Sequence, residues 1–265
     1  MQTLSLPSSN VFDYYWRIFA TALCFALFGL FGVLLSISIF PLMILLFYRH
    51  PTHRHRAGQY VIHKLFYWYT HIMQGLGVLT FSTAGLEKLR HAANEKGLLI
   101  IANHPSLIDV VFLISFVPQV GCVVKNKLWN NPFTSGPVRA CGYIRNDTDP
   151  EQVISACAAT LNAGHSLIIF PEGTRTTPGI ITKLQRGAAN IALQAGSSLT
   201  PVLITAEPST LTKQEKWYHV PPRKPHFHFE VHADIDITPF LEGDGLNAVK
   251  ARKLTEYLAD YLKAS

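Results

Sequence analysis

Between Arg17 and Arg49 the chain carries no charged side chain, and Ile18–Phe47 is almost wholly Ala, Leu, Ile, Val, Phe and Gly. About thirty helical residues at ~1.5 Å each reach ~45 Å, more than the ~30 Å of a bilayer's hydrocarbon core. The run therefore predicts a tilted or kinked membrane helix, with Gly29, Gly32 and Pro41 as bend points. A cleaved signal peptide fits poorly, because the start is polar instead of basic, the run is too long and no small-residue cleavage site follows. A re-entrant hairpin is the competing arrangement, although each half would be too short to cross. Arg17 stands alone before the run, whereas Arg49, Arg54, Arg56 and Lys64 follow it. Excess Lys and Arg mark the cytoplasmic side, so the remainder of the chain is expected there.

The next stretch, Gly58–Gly75, repeats Val61, Leu65, Trp68 and Ile72 at helical spacing, with Ile62, Phe66, Tyr69 and Met73 beside them. Tyr60, Lys64, Tyr67, His71 and Gln74 fill the opposite stripe. Such a helix suits the membrane interface, and it equally suits packing on a globular domain. Residues 1–76 are thus expected to form a membrane helix and an interfacial helix, and residues 77–265 a separate globular domain.

Composition agrees. Charged residues are only 15% of the 265-residue chain, below the ~25% of ordinary globular chains, and apolar residues are 48%. The net charge of +6 suits an anionic surface or substrate. Nucleic acid is not expected as a partner, since the basic residues are scattered and no nucleic-acid motif is present. Cys24, Cys122, Cys141 and Cys157 form no CxxC pair and read as reduced and buried.

From Gly77 onward strands and helices alternate, the pattern of an α/β fold. Val78–Thr83, Leu98–Ala102, Cys122–Val124, Leu167–Phe170 and Pro201–Ile204 read as strands. Ser106–Phe116, Pro150–Ala163, Gly187–Ala195 and Leu246–Leu262 read as helices, the last with Leu246, Val249, Leu254, Leu258 and Tyr261 on one side. The segment Glu207–Pro225, with four prolines, reads as a loop.

Two constellations can carry chemistry. In Asn103-His104-Pro105-Ser106-Leu107-Ile108-Asp109, Pro105 is placed to open a helix, so His104 stands at its entrance and Asp109 about one turn in. The Asp109 carboxylate would then point back at His104, gain from the helix dipole and hold one imidazole nitrogen, leaving the other as a base. Alone, the pattern also describes an ordinary capped helix. The second constellation, Phe170-Pro171-Glu172-Gly173-Thr174-Arg175, follows an apolar strand, where ligands of open α/β sheets sit. Gly173 allows close backbone approach, Thr174 offers a hydroxyl, and Arg175 a planar fork for phosphate. Glu172 could hold the arginine or bond a ligand hydroxyl. Alone, this too is a plain Pro-x-Gly turn.

Together the two motifs closely resemble those of the glycerolipid acyltransferases, particularly the bacterial 1-acylglycerol-3-phosphate acyltransferases, over roughly Gly77 to Ile237. The resemblance implies a mixed sheet flanked by helices, with an acyl tunnel, and makes residues 77–265 an acyltransferase domain. It casts His104 as general base and Asp109 as its orienting partner. Glu172, Gly173, Thr174 and Arg175 become the acceptor-binding motif, and Thr200-Pro201-Val202 a motif near the acyl chain. It further implies transfer of a fatty acyl group from acyl-CoA or acyl carrier protein to a lysophospholipid hydroxyl, most naturally 1-acylglycerol-3-phosphate. No bound cofactor is implied, and the place is a membrane (the inner membrane in a bacterium). Two departures touch the acceptor. Gly142-Tyr143-Ile144-Arg145 lacks the spacer that family members place before a phosphate-binding arginine, with Arg139 and Lys125 as substitutes for Arg145. Thr205-Ala206-Glu207 lacks a proline common there. A different lysolipid acceptor, such as a lyso-ornithine-type lipid, is the alternative. A non-catalytic membrane-tethered lipid-binding protein would not need His104 and Asp109.

No Gly-x-Ser-x-Gly elbow accompanies Ser106, so direct attack by the bound alcohol is simpler than a covalent route. His226, His228, Glu230 and His232 alternate with apolar residues, which puts them on one strand face. The expected reading is a solvated face and no metal, since zinc sites usually recruit ligands from separate elements. His50, His53 and His55 beside Arg54 and Arg56 read as a basic juxtamembrane patch.

Overall fold

The structure, a computed structural model, describes residues 8–95, 97–131, 134–146, 149–176, 183–242 and 245–264. Residues 1–7 of the expected anchor lie outside this set. Three N-terminal helices, α1 (Ser8–Ile37), α2 (Ile39–Leu46) and α3 (Pro51–Gly75), precede an α/β body. The body runs β1 (Thr80–Ala84), α4 (Leu86–Glu95), β2 (Leu99–Ala102), α5 (Asp109–Phe116), β3 (Val120–Val124), α6 (Asn126–Asn130), α7 (Ser135–Ala140) and β4 (Ile144–Arg145). It continues with α8 (Pro150–Asn162), β5 (Ser166–Ile169), α9 (Gly187–Ala195), β6 (Leu199–Glu207), β7 (His226–Val231), α10 (Thr238–Leu241) and α11 (Asn247–Ala264).

The strands form one mixed sheet in the order β1-β7-β6-β2-β5-β3-β4. β2, β3, β4, β5 and β6 run parallel, while β7 is antiparallel to β6 and parallel to β1. β2 shows why the sheet is central. All four of its residues are buried, Ile100 and Ala102 in the core on one face, Leu99 and Ile101 in the core on the other. A strand covered on both faces reads as a continuous apolar run, because successive side chains point to opposite sides. α3 and α5 cover the first face. α8, α9 and α11 cover the second. On α11, Ala251, Leu254 and Leu258 face inward, but Leu246 precedes the helix and is exposed, because the chain has not yet turned onto the sheet.

The apolar run breaks at Ser38, away from Gly29 and Gly32, which lie within continuous α1. Pro41 explains the position. It has no N–H to give the Ile37 carbonyl and its ring excludes that carbonyl, so the preceding turn opens. The Ser38 hydroxyl takes the Leu34 carbonyl as its acceptor there.

α1 runs antiparallel along α3. The Trp16 indole donates to the Leu76 carbonyl at 2.9 Å, the Tyr69 hydroxyl donates to the Cys24 carbonyl at 3.1 Å, and Phe28 meets Phe66 and Tyr69. Near its end, Ser36 abuts Gly136 in α7. Cys24, Phe40, Met43, Ile62, Tyr69 and Met73 belong to the same core as β2 and α5, so the three helices share the body's interior. On α3 the buried stripe is Ile62, Tyr69 and Met73, flanked by half-buried Val61, Leu65 and Phe66, one position round from the expected one. Trp68 is 63% exposed and Ile72 is exposed beside it. Val11–Leu46 is long and apolar enough to cross a membrane by length and composition. All four cysteines are free and buried.

Candidate active site

β2 and β5 are neighbours in register Leu99↔Leu167, so their carboxyl ends open at the same place. The loops leaving them carry the two sequence constellations, and the sheet topology alone brings these together. The loops are then clipped to each other. The Thr176 N–H donates to the His104 carbonyl at 2.7 Å, and the His104 N–H donates to Glu172 Oε1 at 3.1 Å.

His104 lies between two fixed partners. Its Nδ1 is 2.9 Å from Asp109 Oδ2, and its ring stacks on Phe170 with centroids 4.2 Å apart. Pro105 does not open a helix as expected. Residues 105–108 form a turn, and α5 begins at Asp109 itself. The turn holds its geometry through the Ser106 N–H, which donates to Asp109 Oδ2 at 2.7 Å. The carboxylate thus meets His104 by chain reversal over five residues and still stands at the helix's positive end.

Asp109 is fully buried. Burial pushes its carboxyl above the ordinary value of 3.8, and the His104 ring and the Ser106 N–H act against that rise. Its Oδ1 and the Ser106 hydroxyl, also buried, find no protein partner among the described residues. A carboxylate accepts, so an imidazole that donates to it does so from a protonated Nδ1 and keeps its lone pair on Nε2.

Glu172 is buried and turned inward. Besides the His104 N–H, its carboxylate accepts from the Thr176 hydroxyl at 2.8 and 2.9 Å, and it makes no bond to Arg175. Gly173, at φ +66°, is exposed at the loop tip, a conformation that glycine adopts without strain. Thr174 and Arg175 are half-buried beside it. Arg175 Nη1 donates to the Leu211 and Thr212 carbonyls, both at 2.9 Å, while Nε and Nη2 carry no bond to any described residue.

Arg145 closes β4, two strands from β5 at the same edge of the sheet, half-buried and engaged. Lys125 and Arg139 are exposed, and Arg139 lies over the Trp129 ring. Pro201 is buried within β6 opposite Ile101, one residue short of the end of the β2–β6 ladder. Its carbonyl accepts from His232 N–H, so the nitrogen that cannot donate faces past the end of the β6–β7 ladder.

Three contributors were not among the expected site residues. Asn103 clamps the end of β2 to β6 by donating to the Ile204 carbonyl at 2.8 Å and accepting the Ile204 N–H at 2.7 Å. Phe170 provides the stacking plane. The segment 208–225, hereafter the strap, reaches the site from β6, and its Leu211 carbonyl also accepts the Leu107 N–H at 3.1 Å. Leu211 holds φ +54°, unusual for a branched side chain. An apolar cavity lies beneath the strap, with Cys24, Tyr69, Ile108, Leu211 and Phe227 among its lining residues. Among the described residues no three His, Cys, Asp or Glu side chains gather as a metal set. His226 and His228 share the Ser82 hydroxyl, and His232 meets Tyr261.

The acyltransferase family model matches residues 81–205, from β1 into β6. The chain is 27% identical over 190 residues to a 1-acyl-sn-glycerol-3-phosphate acyltransferase of Limnanthes alba, covering 69% of this chain and 64% of that protein. It is 29% identical over 182 residues to the enzyme of that name from Pseudomonas aeruginosa, covering 65% and 68%. The match thus spans slightly less than two thirds of the Limnanthes protein's own length. In fold it is similar to the crystal structure of a 1-acyl-sn-glycerophosphate acyltransferase from Thermotoga maritima, with a TM-score of 0.62 at 20% identity over 94% of this chain and 98% of that one. The matched segment carries both constellations on one edge of the sheet, and over it the chain is similar to the 1-acyl-sn-glycerol-3-phosphate acyltransferases.

Proposed function

We propose that this protein moves a fatty acyl group from a thioester, acyl-CoA or acyl carrier protein, to the free hydroxyl of a lysophospholipid, 1-acylglycerol-3-phosphate, giving phosphatidic acid. The observation that carries the reading is the buried Asp109 carboxylate 2.9 Å from His104 Nδ1. With Nδ1 held, Nε2 takes the proton of the acceptor hydroxyl as its oxygen attacks the thioester carbonyl carbon. The C–S bond then breaks, the thiolate leaves, and the imidazolium returns the proton to it. General base assistance of this kind contributes ~10²–10⁴ in rate, and holding both substrates in line supplies much of the rest.

Arg175, through the N–H groups it leaves unbonded, with Gly173 and Thr174 beside it, would grip the acceptor phosphate. Arg145, at the same sheet edge, is the second cation within that region. Glu172 supports the base by fixing the His104 backbone. Pro201 is set back in the sheet, which assigns it to the framework of the site.

The long uncovered face of α1 and α2 supports attachment to a membrane, and the excess of Arg49, Arg54, Arg56 and Lys64 after the apolar run favours the cytoplasmic side for the domain. α1 touches the body at Trp16 and again at Ser36, so it would lie along the bilayer surface with its outer face immersed. The exposed Trp68, Tyr67 and Tyr60 of α3 suit the same interface. Membranes containing the protein, given labelled acyl thioester and a panel of lysolipids, test the acceptor. Transfer to 1-acylglycerol-3-phosphate that weakens on Arg175→Ala, with uncharged acceptors unaffected, is expected. Equal transfer to uncharged lysolipids would remove phosphate recognition from the reading.

A further inference from the structure

The strap has a composition unlike the rest of the body's surface. Trp217 and Tyr218 stand side by side, each 44% exposed, with their rings edge to face. Around them Lys213, Lys216, Arg223 and Lys224 are all exposed, and Lys216 lies over the Tyr218 ring. The single acidic residue of the strap, Glu215, is half-buried and accepts the Thr212 N–H, which turns part of its charge inward. Exposed amphipathic rings bordered by cations are costly in water and well matched to the boundary between acyl chains and anionic headgroups.

Two further observations select the partner. First, the strap is fixed to the apolar N-terminal helix. Arg17, buried in α1, donates to the Pro221 and Pro222 carbonyls at 2.8 and 2.6 Å, and Trp217 packs on Phe25. The strap is therefore anchored on the Arg17 and Phe25 side of a helix whose Phe12 is 80% exposed, with Tyr15 and Phe19 also outward. Second, the strap's other end touches the catalytic turn, through the Leu211 carbonyl held by the Leu107 N–H and by Arg175.

We infer that the strap is a second membrane-docking element, selective for anionic lipid headgroups, that seats the mouth of the active site on the bilayer surface. This rests on the membrane-bound reading of the function. An acidic protein could complement the same cations. The attachment of the two exposed rings to a helix long and apolar enough to enter a membrane favours a bilayer, because that helix already holds the strap close to lipid.

The test uses the full chain in phosphatidylcholine vesicles with and without added phosphatidylglycerol. An environment-sensitive probe is attached at Tyr218→Cys, where it reacts alone because the native cysteines are buried. Lipid-borne quenchers are expected to reach the probe only when phosphatidylglycerol is present. Raising salt to 1 M should reverse this, as the screening length falls from about 8 Å to about 3 Å. Replacing Lys213, Lys216, Arg223 and Lys224 by Gln should weaken the response at least about tenfold, while acyl transfer in neutral detergent micelles stays unchanged. A probe that remains in water with both vesicles, or enters both equally, overturns the proposal. Protection that appears only on adding an acidic carrier protein overturns it in favour of protein docking. The probe reports without turnover, so a responsive probe on a chain that transfers nothing would retire the acyltransferase reading and keep the docking one. An active enzyme with an unresponsive probe would do the reverse.

Discussion

The imidazole of His104 lies nearly parallel to the ring of Phe170, with 24° between planes and 4.2 Å between centroids. Asp109 grips one edge of the imidazole, and the stack fixes its tilt about that bond. Stacked aromatic pairs contribute ~0.5–1.5 kcal/mol beyond burial, and ~1.4 kcal/mol is a factor of ten in rate. Phe170→Leu is therefore expected to keep the fold and lower turnover about tenfold, with the Michaelis constant for the acceptor little changed. Steady-state kinetics with a thermal melt checks this, and an unchanged turnover would remove Phe170 from the positioning of the base.

Glu172 bonds the His104 N–H and the Thr176 hydroxyl from a buried site. Removing it orphans both, at ~1–3 kcal/mol for each buried group left unpaired. Glu172→Ala should lower both the melting temperature and turnover. Glu172→Gln, which keeps one acceptor oxygen, should recover most of the stability. Differential scanning calorimetry of the two variants measures the separation.

Asp109 has a pH signature. Its carboxyl is raised above 3.8 in the fold, so between that value and the raised one the native state binds more protons than the unfolded chain. Stability therefore falls as pH rises through that window and is level above it. Asp109→Asn removes the buried charge. The variant is expected to lack this fall, to be at least as stable as the parent at neutral pH, and to lose ~10²–10⁴ in turnover. Urea unfolding across the acid range, beside activity at neutral pH, tests both halves.

Arg17 joins Asp13 in α1 to two proline carbonyls of the strap. Its partners are half-buried or exposed and can be rehydrated, so the loss is that of hydrogen bonds to a charged group, ~1.5–3 kcal/mol. Arg17→Met should free the strap while the sheet stays folded. Trypsin would then cut after Lys213 or Lys216 in the variant and not in the parent, as peptide mass mapping would show.

The elements with a single dominant period were legible in the sequence. β2 reads as a covered strand because its apolar run is unbroken, and Gly187–Ala195 is bounded in the sequence by its glycine and small apolar residues. What failed involved contacts across the chain. The buried face of α3 is set by its packing against α5 and α1, and two adjacent apolar stripes stay equivalent until those partners are known. Pro105 suggested a helix start, but the Ser106 N–H bond to Asp109 Oδ2 delays the helix to Asp109. His104 and Asp109 were visible as a motif, whereas Phe170 as a stacking plane and Leu211 as a strap anchor depend on β2, β5 and β6 meeting at one edge. Arg17 read as a flanking charge, and only the strap's return to α1 shows it buried.

The rate of acyl transfer from labelled thioester to 1-acylglycerol-3-phosphate by His104→Ala, beside the parent enzyme at equal folded concentration, bears most directly on the assignment of His104 as the base. Loss of His104 should lower the rate by ~10²–10⁴ with the fold retained, since the general base is gone and binding is not. Transfer at the parent's rate by a folded His104→Ala protein would contradict it.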